Sequence, residues 1–373
     1  MQKQQEIQSK LRRHLQESGL RPGDRLPGER ELAVALGVGR SGLRLALDAL
    51  EEAGILERRP QSGTFLTQIP PPIVHGKSAV LIAPFSETGE ADRYHDAEWL
   101  YRVAVAFERF ALSAGLRVTT KNQSPRIQEV CSIKEMALEA VETGAQAVVL
   151  LHPVGSREKI AHTLALLHDR GVHPLIVSSR TYSGMANQVY FDSGWGAYLS
   201  TRFLLRKGHR RIGFAGGPGG HEWVQDRLSS YRNALEAADI TPLERWIWLR
   251  EKSERLSNAD DGKSAFLEWQ KVPKSLRPTA ILAANDVIAL GILGAAQKAG
   301  VAIPDQLSLV GFDNDPEALF AGLTTVERPT DTLGEMAARV TLERIAAGFE
   351  AETVSVRLRP LLIERGTVKT LED

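Results

Sequence analysis

Two arginines one helical turn apart, Arg40 and Arg44, are the first pair in the chain whose types and spacing suggest a chemistry. They begin a segment in which Leu43, Leu47 and Leu50 recur at helical spacing, so the arginines share one face of a predicted amphipathic helix. Arginine binds guanine edges bidentately or clamps phosphates, and the N–H groups of a helix N-terminus also favour phosphate. For an isolated pair, a solvated basic face that forms surface salt bridges is the alternative.

A second group of polar residues follows predicted strands near the end of the chain. Asn285 comes after TAILAA, and Asp313 comes after LSLVGF. Polar residues at the carboxyl ends of parallel strands line a ligand crevice, and an amide with a carboxylate suits a polyhydroxylated ligand. A helix cap or a turn is the alternative for each. Trp223, four residues before Arg227, is either a platform for a sugar face or a core residue, and Ser86 after the first strand either lines the crevice or ends a strand.

The motifs of catalysis and of nucleotide or metal binding are incomplete in this sequence. The glycine-rich loop after a predicted strand carries Pro218 inside it and Glu222 where a dinucleotide-binding loop needs glycine. HGKS and DGKS lack the first glycine of a P-loop, the nine histidines form no HExxH pair, and no G-x-S-x-G elbow occurs. We therefore predict a protein that is not an enzyme and that needs no cofactor and no metal.

Composition points to an ordinary globular protein of more than one domain. The chain has 373 residues, 43% of them hydrophobic and 25% charged, with a formal net charge of zero. A single cysteine, Cys131, excludes an internal disulfide framework. The N-terminus has no apolar signal region, and no run reaches the roughly 18 apolar residues of a membrane span. A cytoplasmic protein without a membrane partner is the expectation.

Three consecutive prolines, Pro70 to Pro72, divide the chain into parts of different texture. They favour extended backbone and continue neither a helix nor a central strand. We predict a small domain over residues 1–68, a linker over 69–77, and a large domain over 78–373. The small domain reads as three helices and a two-stranded hairpin, with Ile7, Leu11 and Leu15 at helical spacing in the first helix.

The large domain alternates apolar strands with helices, which predicts parallel sheets covered on both faces. The predicted strands are SAVLIAP, LRVTTK, QAVVLLH, PLIVSS, NQVYF, RIGFAG, TAILAAN and LSLVGFD. Helices are predicted over, for example, residues 98–114, 156–170, 194–207 and 286–298. The strand pattern restarts near residue 187, which indicates two lobes. The predicted fold class is therefore α/β.

The segment LRPGDRLPGERELAVALGVGRSGLRLALDALEEAGILERRPQSGTFLT resembles the winged helix-turn-helix of GntR-type transcription regulators. The resemblance places five residues on positions that touch DNA: Arg30, Arg40, Ser41, Arg44 and, at the tip of the wing, Gly63. Gly39 and Gly42 stand where this family usually has serine or threonine. Gly39 still permits an N-cap, and Gly42 weakens the helix by up to about 1 kcal/mol relative to alanine.

Several later segments resemble the effector domain of LacI/GalR-type repressors, which is similar to sugar-binding periplasmic proteins. They are KGHRRIGFAGGP, DRLSSYRNAL, AANDVIALGILGAAQKAGVAIPDQLSLVGFDNDP and LTTVERP. The resemblance implies two parallel-sheet lobes joined by three crossovers, a ligand in the cleft, and dimerisation along the lobes. It also implies that Asn285, Asp313 and Arg227 contact the ligand. A GntR-type head on a LacI-type body is the arrangement of the arabinose-repressor subgroup.

Two departures from the LacI-type pattern bear on the ligand. Ser179 precedes Arg180 where sugar binders often have aspartate, and Arg328 stands where glutamine is common. One acid fewer and one base more predict a cationic crevice, and hence an acidic or phosphorylated sugar-like effector.

The resemblances together imply a homodimer that reads a palindromic operator on double-stranded DNA and changes its affinity when the lobes close on the effector. Release of DNA is the more usual response in such families. A solute-binding transport protein is the alternative for the large domain alone, and salt-sensitive retention on DNA distinguishes the two.

Overall fold

In the computed structural model the N-terminal unit is a three-helix bundle with a β-hairpin. The structure describes residues 2–72, 74, 76–85, 97–123, 131–178, 182, 186–250, 258–349 and 352–371. The N-terminal elements are α1 (Gln2–Glu17), α2 (Glu29–Leu36), α3 (Arg40–Glu52), β1 (Leu56–Arg59) and β2 (Gly63–Leu66). The predicted apolar stripe of α1 is buried together with Leu43, Leu47 and Leu50 of α3. The leucines therefore form the core of the unit and turn the opposite face of α3 outwards.

Glycines set the turn between α2 and α3 and the fit of α1 against α3. Gly37 ends α2 in the left-handed conformation, with φ 63°, and Gly39 is the N-cap of α3. A Cβ atom at Gly42 would lie 2.5 Å from the Cδ1 atom of Ile7. The glycine that weakens the isolated helix therefore permits close packing of α1 on α3.

The first lobe of the large unit is built on a six-stranded parallel sheet. Its elements are β3 (Ser78–Ala83), α4 (Ala97–Ser113), β4 (Arg117–Asn122), α5 (Ile133–Glu142), β5 (Ala147–Leu151), α6 (Arg157–Asp169), β6 (His173–Val177) and β7 (Asn187–Phe191). The strand order is β13-β7-β6-β5-β3-β4, where β13 (Ser355–Leu358) comes from the end of the chain. Successive strand residues alternate between two apolar clusters, Leu81 and Val149 in one and Val80 and Val148 in the other. Both faces of the sheet are therefore covered, as the continuous apolar strands predict.

The second lobe is built on a four-stranded parallel sheet of order β11-β10-β8-β9. Its elements are α7 (Ser193–Arg206), β8 (Ile212–Pro218), α8 (Glu222–Glu236), β9 (Ile247–Arg250), α9 (Asn258–Lys271), β10 (Ala280–Ala283), α10 (Asp286–Lys298), β11 (Ser308–Val310) and α11 (Pro316–Phe320). α7 and α8 pack on one another, as do α9 and α10. The carboxyl ends of β8, β10 and β11 lie at one edge of this sheet, where the ligand crevice was predicted.

The chain passes between the lobes three times, as the resemblance implied. It crosses between β7 and α7, between β12 (Thr325–Glu327) and α12 (Thr330–Ala347), and between β13 and β14 (Leu361–Ile363). The strand pattern restarts near residue 187, but the second lobe begins only after β7. β7 pairs in parallel with β6 and so belongs to the first sheet, and the crossing follows Phe191. The sequence pattern of β7 resembles that of the strands on both sides of it, so the pattern alone could not assign it to a lobe.

All eight predicted strands are present, and the short strands β9, β12, β13 and β14 were not predicted. Among the described residues, no helix is both long and apolar enough to cross a membrane.

Candidate functional site

The N-terminal end of α3 presents its polar side chains to solvent. Arg40, Ser41 and Arg44 are exposed, and so is Arg30 on α2. The Nε atom of Arg44 lies 2.7 Å from a carboxylate oxygen of Glu29, which joins the starts of α2 and α3 across the turn. The structure therefore brings these four predicted residues onto one unit with a helix-turn-helix arrangement.

The β-hairpin carries Gly63 and an arginine that pairs with two acids. Gly63 has φ 113°, and a Cβ atom there would lie 2.6 Å from the Nε atom of Arg25, so glycine is required at this turn. Arg58 forms ion pairs with Asp48 at 2.6 Å and with Glu51 at 3.0 Å, both on α3. These ion pairs hold the hairpin against the C-terminal half of the predicted recognition helix. The acids late in α3 thus have a structural role beside the wing.

Asp313 lies at the centre of the candidate ligand crevice, between two buried arginines. Its Oδ1 atom is 3.6 Å from Nη2 of Arg227 and 3.4 Å from Nε of Arg328. Arg328 also lies 3.9 Å from Asp315. Arg227 follows β8 on α8, Asp313 follows β11, and Arg328 follows β12, so three separate elements bring one charge cluster together.

Arg227 is fixed in place by contacts on every side of its guanidinium group. Its Nε atom donates to Ser193 Oγ at 2.9 Å, and Nη1 donates to the carbonyl oxygen of Ala284. Its Cζ atom lies 3.5 Å from the ring centroid of Phe312 and 5.0 Å from that of Trp223. Trp223 is half-buried: its ring packs against the core of the second lobe and also borders the arginine site.

Asn285 and Asp286 open α10 and hold the floor of the crevice. Asn285 is the N-cap of α10 and accepts the backbone N–H of Ile288 at 2.8 Å. Asp286 is fully buried and accepts Thr325 Oγ1 at 2.6 Å and the backbone N–H of Asp315 at 2.9 Å. Burial, and then the charge of the neighbouring crevice acid, raise the pKa of Asp286 to about 6.

The second arginine of the crevice lies beside two carboxyl groups, of which the sequence predicted only that of Asp313. Asp313 and Asp315 both face Arg328, and Asp286 lies behind them. Burial and the charge of Asp313 raise the pKa of Asp315 to about 8. Within the described residues, carboxyl groups therefore stand beside each crevice arginine, and the acidic or phosphorylated effector stays a prediction.

Aromatic residues of the first lobe meet this cluster from the opposite side. The Cζ atom of Arg328 lies 5.1 Å from the ring centroid of Trp99, near the start of α4. The Trp99 ring also has edge contacts with His152 at 5.4 Å and with Phe191 at 6.3 Å. Trp99 thus joins the ends of β5 and β7 to the charge cluster of the second lobe.

Three of the predicted crevice residues, Ser86, Ser179 and Arg180, lie outside the described residues. The structure adds four residues that sequence reasoning missed: Trp99, Asp286, Asp315 and Ser193. Asp286 and Asp315 each stand within two residues of a predicted crevice residue, so their positions in the sequence were the available signal. Trp99 gave no such signal, because it comes 16 residues after the end of β3, at the start of a helix.

Comparison with known proteins assigns both parts of the chain. Residues 3–66 match the family described as bacterial regulatory proteins, gntR family, and residues 201–368 match the family of periplasmic binding protein-like domains. The HTH-type transcriptional repressor PurR of Edwardsiella ictaluri (strain 93-146) is 34% identical over 289 residues, which cover 69% of this chain and 80% of that protein. The chain belongs to the PurR-related family of transcriptional repressors.

Other relatives agree with this assignment. PurR of Escherichia coli O1:K1 is 32% identical over 210 residues, which cover 55% of this chain. The chain spans only 59% of the length of that relative. A LacI family regulator of Enterococcus faecium, solved with bound ribose, has a TM-score of 0.61 at 21% identity and covers 79% of this chain and 100% of its own. The PurR-related proteins are transcriptional regulators, and the solved structure shows that this chain has the two-lobed fold of such regulators.

Proposed function

We propose that this chain represses transcription by binding a palindromic DNA operator as a homodimer, and that a sugar bound between the lobes controls its affinity for DNA. In this proposal, residues 1–68 bind DNA, residues 69–77 connect, and residues 78–373 bind the effector and form the dimer. The protein acts in the cytoplasm, where its DNA lies, and has no catalytic activity. Membership of the arabinose-repressor subgroup stays a prediction.

The exposed N-terminal end of α3 is the observation that carries the DNA-binding proposal. Arg40, Ser41 and Arg44 extend from a helix that packs into the core through its buried leucines, Leu43, Leu47 and Leu50. Glu29 occupies one edge of the Arg44 guanidinium, and DNA binding exchanges this carboxylate for a phosphate or a guanine edge. Arg30 of α2 and Gly63 at the hairpin tip belong to the same unit, and we assign them to contacts with the DNA backbone.

Selection of a duplex from a random pool by the intact chain, followed by fluorescence anisotropy, tests this assignment. We expect Kd to rise steeply between about 50 and 200 mM salt, because phosphate contacts release counterions. Arg40→Ala and Arg44→Ala should each weaken binding by about 1–3 kcal/mol. Arg13→Ala, an exposed arginine on α1, is the matched control and should leave Kd nearly unchanged. Salt-independent or absent retention on DNA would favour a solute-binding protein instead.

Exposed apolar side chains on both lobes support the homodimer. Tyr101, Val105 and Leu112 lie on the outer face of α4, each about half exposed or more. On the second lobe, Leu267 is 55% exposed beside an apolar groove between α9 and α10. Large exposed apolar patches mark association surfaces, and a twofold dimer places two recognition helices on a palindromic site.

The crevice chemistry supports a neutral sugar as the effector. Carboxylates and arginines side by side, as at Asp313 and Arg328, provide acceptors and donors for adjacent hydroxyl groups. Trp99 and Trp223 add aromatic surface at the edges of the cluster. The structural neighbour from Enterococcus faecium was solved with bound ribose, and this supports a sugar as the ligand.

A thermal-shift panel of neutral sugars, uronic acids, sugar phosphates and purines tests the effector class. We expect a rise in Tm with a neutral sugar, since a ligand of the native state alone stabilises it by mass action. Arg328→Gln should abolish this rise. A rise only with uronates or sugar phosphates that is lost in Arg328→Gln would support the predicted acidic effector. In either case we propose that ligand binding closes the lobes and that closure releases the DNA.

A further inference from the structure

The N-terminal unit contacts the first lobe directly through α1. Arg12 is only 3% exposed, and its Nη2 atom donates to the carbonyl oxygen of Ser113, the last residue of α4, at 3.0 Å. Gln16, one turn further along α1, donates to the carbonyl oxygen of Pro70 at 2.8 Å. One face of α1 therefore rests on both the large unit and the connecting segment.

Arg12 carries a buried charge that no acid of the described residues balances. Among the described residues, no carboxylate lies within ion-pair distance of its guanidinium, and its Nε and Nη1 atoms have no hydrogen-bond partner. Burial, and then the charge of Arg339, lower the pKa of Arg12 to about 10. A buried unpaired charge opposes the contact that buries it. The docked arrangement therefore contains a destabilising electrostatic contribution.

Arg339 on α12 holds the connecting segment on the other side of the junction. Its Nη2 atom donates to Oε1 of Gln68 at 2.7 Å, and Nη1 donates to the carbonyl oxygen of Ile69. Its guanidinium also lies over the ring of Phe110, with Cζ 5.2 Å from the centroid. Arg339 thus holds the connecting segment, Arg12 holds the end of α4, and the charges of the two arginines repel each other.

α4 and α12 pack tightly against each other, and α4 carries residues that contact Arg12 and Arg339. Arg109 and Glu335 form an ion pair between the two helices at 2.8 Å. A Cβ atom at Gly334 would lie 2.3 Å from the carbonyl oxygen of Val103, so the two backbones almost touch. A movement of one helix must therefore move the other.

The opposite ends of the same helices border the ligand crevice. Trp99 lies in the first turn of α4, against Arg328, and the backbone N–H of Thr330, the first residue of α12, donates to the Arg328 carbonyl at 2.8 Å. α4 has 17 residues and so spans about 25 Å. The pair runs from the crevice to the junction with the DNA-binding unit.

We propose that Arg12 and Arg339 form a charge-strained latch between the DNA-binding unit and the first lobe, and that the α4–α12 pair transmits the state of the crevice to it. The docked unit is the state described here, and the released unit is the alternative. Strain keeps the two states close in free energy, so a small displacement of the pair shifts the equilibrium. This inference rests on the proposed function in one respect only, which is that release of the unit changes where the recognition helices lie on DNA.

Hydrogen–deuterium exchange on the intact chain tests the latch without DNA or effector. Arg12→Gln removes the charge and keeps a donor, and Arg12→Met removes both with little change in volume. We expect exchange in residues 2–17 and 66–72 to slow by about fivefold in both variants, because loss of the buried charge strengthens docking by roughly 1 kcal/mol. Arg13→Met, with the same change in net charge at an exposed position of α1, is the control and should leave exchange unchanged.

Faster or unchanged exchange in the two Arg12 variants would overturn the latch, since Arg12 would then be an anchor or a bystander. Transmission is tested by Trp99→Phe and by Arg328→Gln. Each should alter exchange in residues 66–72, and the alteration should shrink when combined with Arg12→Gln. No alteration at that segment would refute the relay through α4 and α12. The DNA-retention experiment above fails or succeeds independently of these outcomes, so the two proposals are distinguishable.

Discussion

Asp313 and Asn314 adopt backbone conformations that L-residues rarely take, with φ 127° and 58°. Such residues cost of order 1–3 kcal/mol each and persist where the surroundings hold them. The backbone N–H of Asp313 donates to the carbonyl oxygen of Val326 at 2.8 Å, and Arg365 donates to Oδ1 of Asn314 at 2.5 Å. The strained turn directs the Asp313 carboxylate between the two arginines, so conformational strain is concentrated at the residue we assign to the effector.

Asp315, next to that turn, should make stability depend on pH. Its pKa is raised from 3.8 to about 8, so the folded chain retains a proton that the unfolded chain loses. The stability that this proton supports is complete below about pH 4 and is lost as pH rises through 8. The amide of Asp315→Asn does not titrate, so this variant does not lose stability in this way. Between pH 5 and pH 8.5, the Tm of the variant minus the Tm of wild type should therefore rise by about 2–4 °C for each kcal/mol that wild type loses.

Differential scanning fluorimetry across this pH range measures the effect. Asp305→Asn, at an exposed position, is the control and should give a nearly constant difference from wild type. A constant Tm difference for Asp315→Asn would show that the acid is already ionised in the native state at pH 5.

Among the elements, the close contact of α4 with α12 depends on one glycine. At Gly334 any side chain would collide with the backbone of α4, whereas Gly294, in the interior of α10, has open space around its Cα. The same substitution at the two positions should therefore have opposite signs.

We expect Gly334→Ala to destabilise the protein by about 1–3 kcal/mol, because the helices must separate to admit the methyl group. Gly294→Ala should stabilise it by up to about 1 kcal/mol through better helix propensity. Thermal unfolding of the two variants compares them directly. Equal effects of one sign would contradict the close approach of the two backbones.

The long elements were predictable from the sequence, and the short ones were not. β3, β5 and β6 are continuous apolar runs, and the Asp286–Lys298 helix begins where the sequence predicts. β13 reads SVRL, with alternate residues exposed, and only its pairing with β7 defines it as a strand. The proximity of Arg227 and Asp313 followed from strand-end reasoning and resemblance. Trp99 and Arg12 were missed because their roles depend on contacts with residues more than 100 positions away.

At the scale of the whole molecule, the apolar surfaces of the two lobes should form one dimer interface. Val105 on α4 and Leu267 on α9 are 59% and 55% exposed, and neither is needed for the core of its lobe. Val105→Glu and Leu267→Glu should each shift the sedimentation coefficient from dimer to monomer at micromolar concentration, because a charge in an apolar interface is not paired.

Leu361→Glu is the control, since Leu361 is 61% exposed but lies on β14 and on neither of the two helices. Analytical ultracentrifugation of the four proteins decides the point. A wild-type chain that sediments as a monomer would remove the dimer from the proposal, and unaltered dimers in both variants would place the interface elsewhere.

β13 comes late in the sequence, and this affects how the chain folds while it leaves the ribosome. The DNA-binding unit contains only residues from the first fifth of the chain and can fold as soon as they emerge. The first lobe cannot complete its sheet until Ser355–Leu358 has been synthesised. Arg339, which binds the connecting segment, is also synthesised late. Every newly made molecule therefore passes through a period in which a folded DNA-binding head is tethered to an unfinished regulator.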